Sequence, residues 1–236
     1  IRPRVDGKAI TPLPAVNLAD TLQGVFQHLL THYGPQHWWP GDGPWEVMVG
    51  AILTQNTNWK NVEKAIANLK QAQALTPHRL RQLPVEELKT LIRPAGYFNA
   101  KAAKLKALAA WIEKFNDDLP QALSLELPQL RQELLSIYGI GPETADSIVL
   151  YAAQKPTFVI DAYTHRILTR LGLVPSGIAY SPLQLLFADN MPPDTEMFNE
   201  YHALLVHHGK ETCRPSPLCS RCCLLDLCSF PDKTTL

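Results

Sequence analysis

No stretch of this 236-residue chain approaches the roughly 20 consecutive apolar residues that span a bilayer, so no membrane partner is expected. Net charge is absent too: 22 Lys and Arg against 22 Asp and Glu leave a formal charge of zero. That excludes a uniformly basic coat, but not a local basic strip of the kind that meets phosphates. The N-terminal IRPRVDGKAITPLP has no apolar core ahead of a cleavage site. No secretory leader is expected, and a cytoplasmic setting is the default. Paired runs of alternating polarity are missing, which argues against a sheet; TFVI (157–160) is isolated and reads as an extended connector. Cysteine is missing from the first 212 residues, then occurs as Cys213, Cys219, Cys222, Cys223 and Cys228. A secreted disulfide framework would spread an even number of thiols, so this crowding points to a metal site.

What is present is helical periodicity, in a composition (46% hydrophobic, 19% charged) able to bury a core as one domain or two small ones. Apolar spacing predicts helices over 17–34, 58–72 and 99–115, the last carrying Lys101, Lys104 and Lys106. The nearly all-apolar 43–55 reads as a buried central helix, and shorter helices are expected at 76–82 and 84–92. Helices at 127–137, about 142–154 and 161–172 follow, then SPLQLLFADNM and TEMFNEYHALLVHHG before the cysteine tail. Asp161 suits an N-cap and Gly172 the position after the last turn. The fold class is all-α, behind a loosely ordered, proline-rich arm at 1–16.

Ile137-Tyr138-Gly139-Ile140-Gly141 lies between two helical stretches, with Glu143 in the first turn of the second. Glycines permit left-handed dihedrals and let backbone N–H groups approach a partner, and a helix start adds its own unpaired N–H groups. A phosphate suits such a turn; a tight helix corner without a ligand suits it equally. Asp161, between FVI and AY, is either a simple cap or a carboxylate at an apolar pocket that steadies a cation or orients water.

LLSIYGIGPETADSIVLYAAQKPTFVIDAYTHRILTRLGLV resembles the helix–hairpin–helix, Gly/Pro-rich loop and Asp signature of the endonuclease III superfamily of DNA glycosylases. Cys213, Cys219, Cys222 and Cys228 form C-x5-C-x2-C-x5-C, similar to that family's cluster loop but one residue shorter in the first gap, with Cys223 as an extra thiol. AILTQNTNW (51–59) resembles the segment whose glutamine fills the space left by a flipped base.

The resemblance implies a discontinuous cluster domain (17–43 with 156–236) and a six-helix barrel domain (44–155) containing the hairpin. It implies a monomer that binds double-stranded DNA with a damaged base. Gln55 would plug the duplex, and Gly139 and Gly141 would grip a phosphate, in the family commonly through a monovalent cation. Asp161 would be the catalytic carboxylate. The four cysteines would hold a [4Fe–4S] cluster, with four-cysteine zinc as the alternative, in a loop presenting Arg214 and Arg221 to the backbone.

One departure concerns mechanism. Members with lyase activity carry a lysine two residues after the second hairpin glycine, where this chain has Glu143. A carboxylate cannot form an imine, so base removal without strand cleavage is expected. Ala51, where the adenine glycosylases of this superfamily use a glutamate, and the eight residues after Cys228 favour another branch. WWPGDGPWEVMVGAILTQNT, IRPAGYFNAKAAKLK and GPETAD look most like the group that includes 3-methyladenine DNA glycosylases. That likeness carries a base-pocket role to Trp38, Trp39 and Pro40, and places Lys210 near the pocket. Stacked indoles favour an electron-poor or cationic alkylated purine. Two other readings stay open: a glycosylase for oxidised or mismatched pyrimidines, with or without lyase activity, and a non-catalytic module that senses DNA structure.

Overall fold

The computed structural model describes residues 17–230; the N-terminal arm lies outside the described residues. Among these there is no strand. Twelve α-helices follow in order: α1 (Leu18–Tyr33), α2 (Pro44–Leu53), α3 (Trp59–Gln71), α4 (Pro77–Gln82), α5 (Val85–Leu91) and α6 (Phe98–Glu113), then α7 (Leu119–Ser124), α8 (Leu127–Leu135), α9 (Pro142–Ser147), α10 (Ala162–Leu171), α11 (Tyr180–Asn190) and α12 (Thr195–Glu211).

Local chemistry sets several boundaries. Asn17, Asn58, Thr76 and Asp118 cap α1, α3, α4 and α7 through side-chain acceptors. Asp161 caps α10, and Gly172 closes it in the left-handed region at φ 78°. The six-residue α7 adds to the helices that the sequence predicts.

Packing decides the rest. In α2 every residue after Pro44 is buried; Glu46 is tolerated there because Lys70 pairs with it at 2.7 Å. Lys101, which sequence periodicity left on a basic helix, is 1% exposed. Its ammonium donates to Leu53 O (2.9 Å) and Ala95 O (2.7 Å), tying α6 to the end of α2. Burial lowers its pKa to about 8.

The helix expected over 142–154 is not uniform. After α9 the chain widens into a π turn over Ile148–Ala152, with Ala153 N bonded to Ile148 O at 3.0 Å. All five residues of that turn are buried, between α2 and α12. Residues 157–160 are the expected extended connector, buried throughout. Side chains satisfy part of its backbone: Gln184 donates to Phe158 O (2.8 Å), and Tyr180 OH accepts from Ile160 N (3.4 Å). The connector delivers the chain to Asp161.

Helix α12 packs on α1 and α10, while α2 packs on α3, α6 and α9. Buried side chains from both groups form one apolar cluster. The π turn contacts members of each, so the residues it carries lie where the two groups meet.

Candidate functional site

A cleft of about 860 Å³ opens at that meeting. Trp38, Trp39 and Trp59 wall it, Asp161 and His202 lie deeper, and Glu143, Arg166, Lys210 and Arg214 also line it. Trp38 and Trp39 stack with centroids 5.6 Å apart at 19°. Trp39 meets Trp59 edge-on at 5.2 Å. Glu200 on α12 accepts from the backbone N–H groups of Gln36 and His37, fastening the segment that carries both tryptophans. Gly209 is required opposite them: a Cβ there would stand 2.8 Å from the Tyr163 Cβ. Lys210 Nζ lies 6.0 Å from the Trp38 ring centre and 5.9 Å from that of Tyr163. Pro40 is exposed and does not line the cleft.

Asp161 accepts from Thr164 N at 2.7 Å, and its side chain is 12% exposed. Burial by itself would raise its pKa, but His202 and the Thr164 N–H outweigh that and hold it below the usual carboxylate range. His202 Nε2 stands 3.5 Å from Asp161 Oδ2 and is a buried nitrogen without a formed hydrogen bond. The Glu143 residue is exposed as a whole, yet desolvation beside the cleft wall and the Asp161 charge raise its pKa. The pKa values of the two carboxyl groups thus shift in opposite directions.

The hairpin lies beside the cleft. Gly139 is left-handed at φ 80°, while Gly141 is extended and ordinary for any residue. Gln55 is half-buried and engaged with the hairpin: its amide donates to Thr144 Oγ1 (2.9 Å) and Gly139 O (3.3 Å). Lys104 Nζ donates to Gln55 Oε1 at 2.5 Å, bringing positive charge that no sequence motif announced.

Cys213, Cys219, Cys222 and Cys228 line one small recess with Arg170 and Phe230; Cys223 lines another, with His28 and His32. Among the described residues, no three His, Cys, Asp or Glu side chains meet as ligands for a single ion. Four thiols around a shared recess fit the donor set of a cluster. Two unforeseen arginines, four apart on α10, join this loop to the cleft. Arg166 donates to Gly209 O and Cys213 O, both at 2.9 Å. Arg170 donates to Arg214 O (2.6 Å) and Pro215 O (2.8 Å), and contacts Cys213 Sγ at 3.3 Å. Arg214 and Arg221 are exposed, and Arg214 also lines the cleft.

Residues 49–193 match the HhH-GPD superfamily of base excision DNA repair proteins. The chain is 44% identical, over 90% of its length and 97% of the relative's, to a Methanocaldococcus jannaschii protein whose name assigns it provisionally to DNA repair glycosylases. It is 30% identical to endonuclease III of Sulfolobus acidocaldarius over 78% of this chain and 80% of that one. In structure it resembles the Helicobacter pylori 3-methyladenine DNA glycosylase bound to 1,N6-ethenoadenine. There the TM-score is 0.71 at 27% identity, covering 83% of this chain and 98% of the other. A trapped endonuclease III–DNA covalent intermediate matches with TM-score 0.77 at 25% identity, covering 89% and 95%.

Proposed function

Since the chain belongs to the HhH-GPD superfamily of base excision DNA repair proteins and is a DNA N-glycosylase, we propose that it excises an alkylated purine and leaves the strand uncut. The observation that carries this is the tryptophan-walled cleft with ionised Asp161 deep in it and Glu143 where an attacking amine would be needed for lyase chemistry.

An enzyme acting on a base must take it out of the stack, at a cost of a few kcal/mol. The hairpin at Gly139 and Gly141 grips a backbone phosphate, directly or through a monovalent cation, and Gln55 fills the vacated space. The flipped base stacks against the indole wall, whose electron-rich faces suit a cationic purine. As the glycosylic bond breaks, positive charge develops on the sugar; Asp161 stabilises it and helps place water. Residues 17–43 with 156–236 would then act as one domain and 44–155 as the other, with the cleft between.

Cys213, Cys219, Cys222 and Cys228 would hold a [4Fe–4S] cluster, which when bound supplies a rigid cross-link for the loop. Arg166 and Arg170 couple that loop to the cleft, and Arg214 and Arg221 face the DNA backbone.

Incubating the protein with a panel of lesion duplexes, each developed with and without alkali, tests the reading. Strand breaks that need alkali, from an alkylated purine, are expected. Asp161→Asn should release no base while still binding an abasic-analogue duplex; retained turnover overturns the assignment. Lys210 in the cleft favours a second reading, excision of a pyrimidine lesion with lyase activity. Borohydride trapping of a covalent adduct that is lost in Lys210→Met would establish it. Tight binding to abasic analogues with no base released would leave a non-catalytic module.

A further inference from the structure

We propose that Tyr151 and His202 form a positioning pair for Asp161, in which the Tyr151 hydroxyl donates to His202 Nδ1 at 2.6 Å and the otherwise unpartnered Nε2, 3.5 Å from Asp161 Oδ2, is the donor available to that carboxylate. This rests on the glycosylase reading of Asp161.

Three elements build the pair. The π turn carries Tyr151, 4% exposed, towards α12. His202 on α12 is 4% exposed and lines the cleft. Trp38 lies nearly parallel to its ring at 5.8 Å and 22°. The tautomer follows from the two contacts. If Nδ1 carried the proton and Nε2 a lone pair, that lone pair would face the Asp161 carboxylate. With the Tyr151 proton on the Nδ1 side, the ring turns a donor to the carboxylate instead. Burial, Asp161 and Glu200 all raise the Tyr151 pKa, so the phenol keeps the proton it donates.

Other charges face this group from every side. Glu143 comes from α9, Arg166 from α10, Glu200 and Lys210 from α12, and Arg214 from the cysteine loop. A donor beside the carboxylate favours its ionised form, the form that stabilises a sugar becoming positive.

The test compares His202→Gln, which keeps an N–H near the Nε2 position, with His202→Leu, which removes it. Single-turnover base release by His202→Leu should fall on the order of 100-fold, the scale for loss of one oriented donor. The acidic limb of its rate–pH profile should move to higher pH, with affinity for an abasic-analogue duplex unchanged. His202→Gln should recover most of the rate. Equal losses in the two variants, or an unmoved acidic limb, would overturn the proposal. Should His202→Leu not fold, Tyr151→Phe supplies the same comparison, because it removes the proton that sets the tautomer. Nitrogen NMR of histidine-labelled protein reads the tautomer without any activity. The Nε2–H form in the wild type, lost in Tyr151→Phe, supports the pair; Nδ1–H in the wild type overturns it. A wild type that releases no base from any lesion would sink the glycosylase reading, while the NMR result would still decide the pair.

Discussion

Lys104 holds Gln55 from across the hairpin: its ammonium donates to Gln55 Oε1 at 2.5 Å, while its methylenes lie over Gly139. The residue proposed to enter the duplex and the turn proposed to grip phosphate therefore share one side chain. Gln55 must exchange its bonds to Thr144, Gly139 and Lys104 for contacts inside the duplex. Gln55→Ala should weaken binding to an abasic-analogue duplex about tenfold, or about 1.4 kcal/mol. Equilibrium titration measures this, and unchanged affinity would show that Gln55 does not insert.

Gly139→Ala meets two obstacles. Its φ of 80° is left-handed, and a Cβ would overlap Lys104 Cγ and stand 2.6 Å from Cδ and Cε. The lysine stem can move only by releasing Gln55, and the cost that remains once it has moved is the backbone strain, about 1–2 kcal/mol. Thermal denaturation should show that loss, and Gly139→Ala with Lys104→Ala should remain destabilised. Full recovery in the double variant would mean that the clash, not the dihedral, dominates.

Asp146 is completely buried and depends on its partners. Arg131 Nε reaches Oδ1 at 2.7 Å and a second guanidinium nitrogen reaches Oδ2 at 3.0 Å; Tyr180 OH adds 2.8 Å. Arg131→Met removes the cation and strands the carboxylate, which should cost about 3–5 kcal/mol in urea unfolding. A loss below about 1 kcal/mol would mean that water or relaxation replaces the arginine.

Lys101 gives a signed pH dependence. Its folded pKa, about 8, lies below its ordinary value of 10.5. Between these the unfolded chain binds more protons, so stability should rise as pH rises through that window. Below about pH 8 the charged form is held in both states, and the penalty for burying it is fully present. Lys101→Met should abolish the rise, and at about pH 10, where the wild type no longer bears the charge penalty, it should lose about 1–3 kcal/mol because Leu53 O and Ala95 O lose their donor. Parallel wild-type and variant slopes from pH 8 to 10 would exclude this lysine as the source.

The all-α class, most helix boundaries, the hairpin glycines, the Asp161 cap, the cysteine spacing and Glu143 in place of an amine were legible in the sequence. Each is decided by groups a few residues apart, whose spacing survives whatever the chain does elsewhere. Tertiary structure decided what touches what. Tyr151 and His202 are 51 residues apart, and Lys104 and Gln55 are 49 apart. Lys101 looked like one more charge on an amphipathic helix until two carbonyls from other elements claimed it. No local pattern encodes such pairings. They arise when helices pack and buried polar groups must find partners, as Tyr151 on the π turn finds His202.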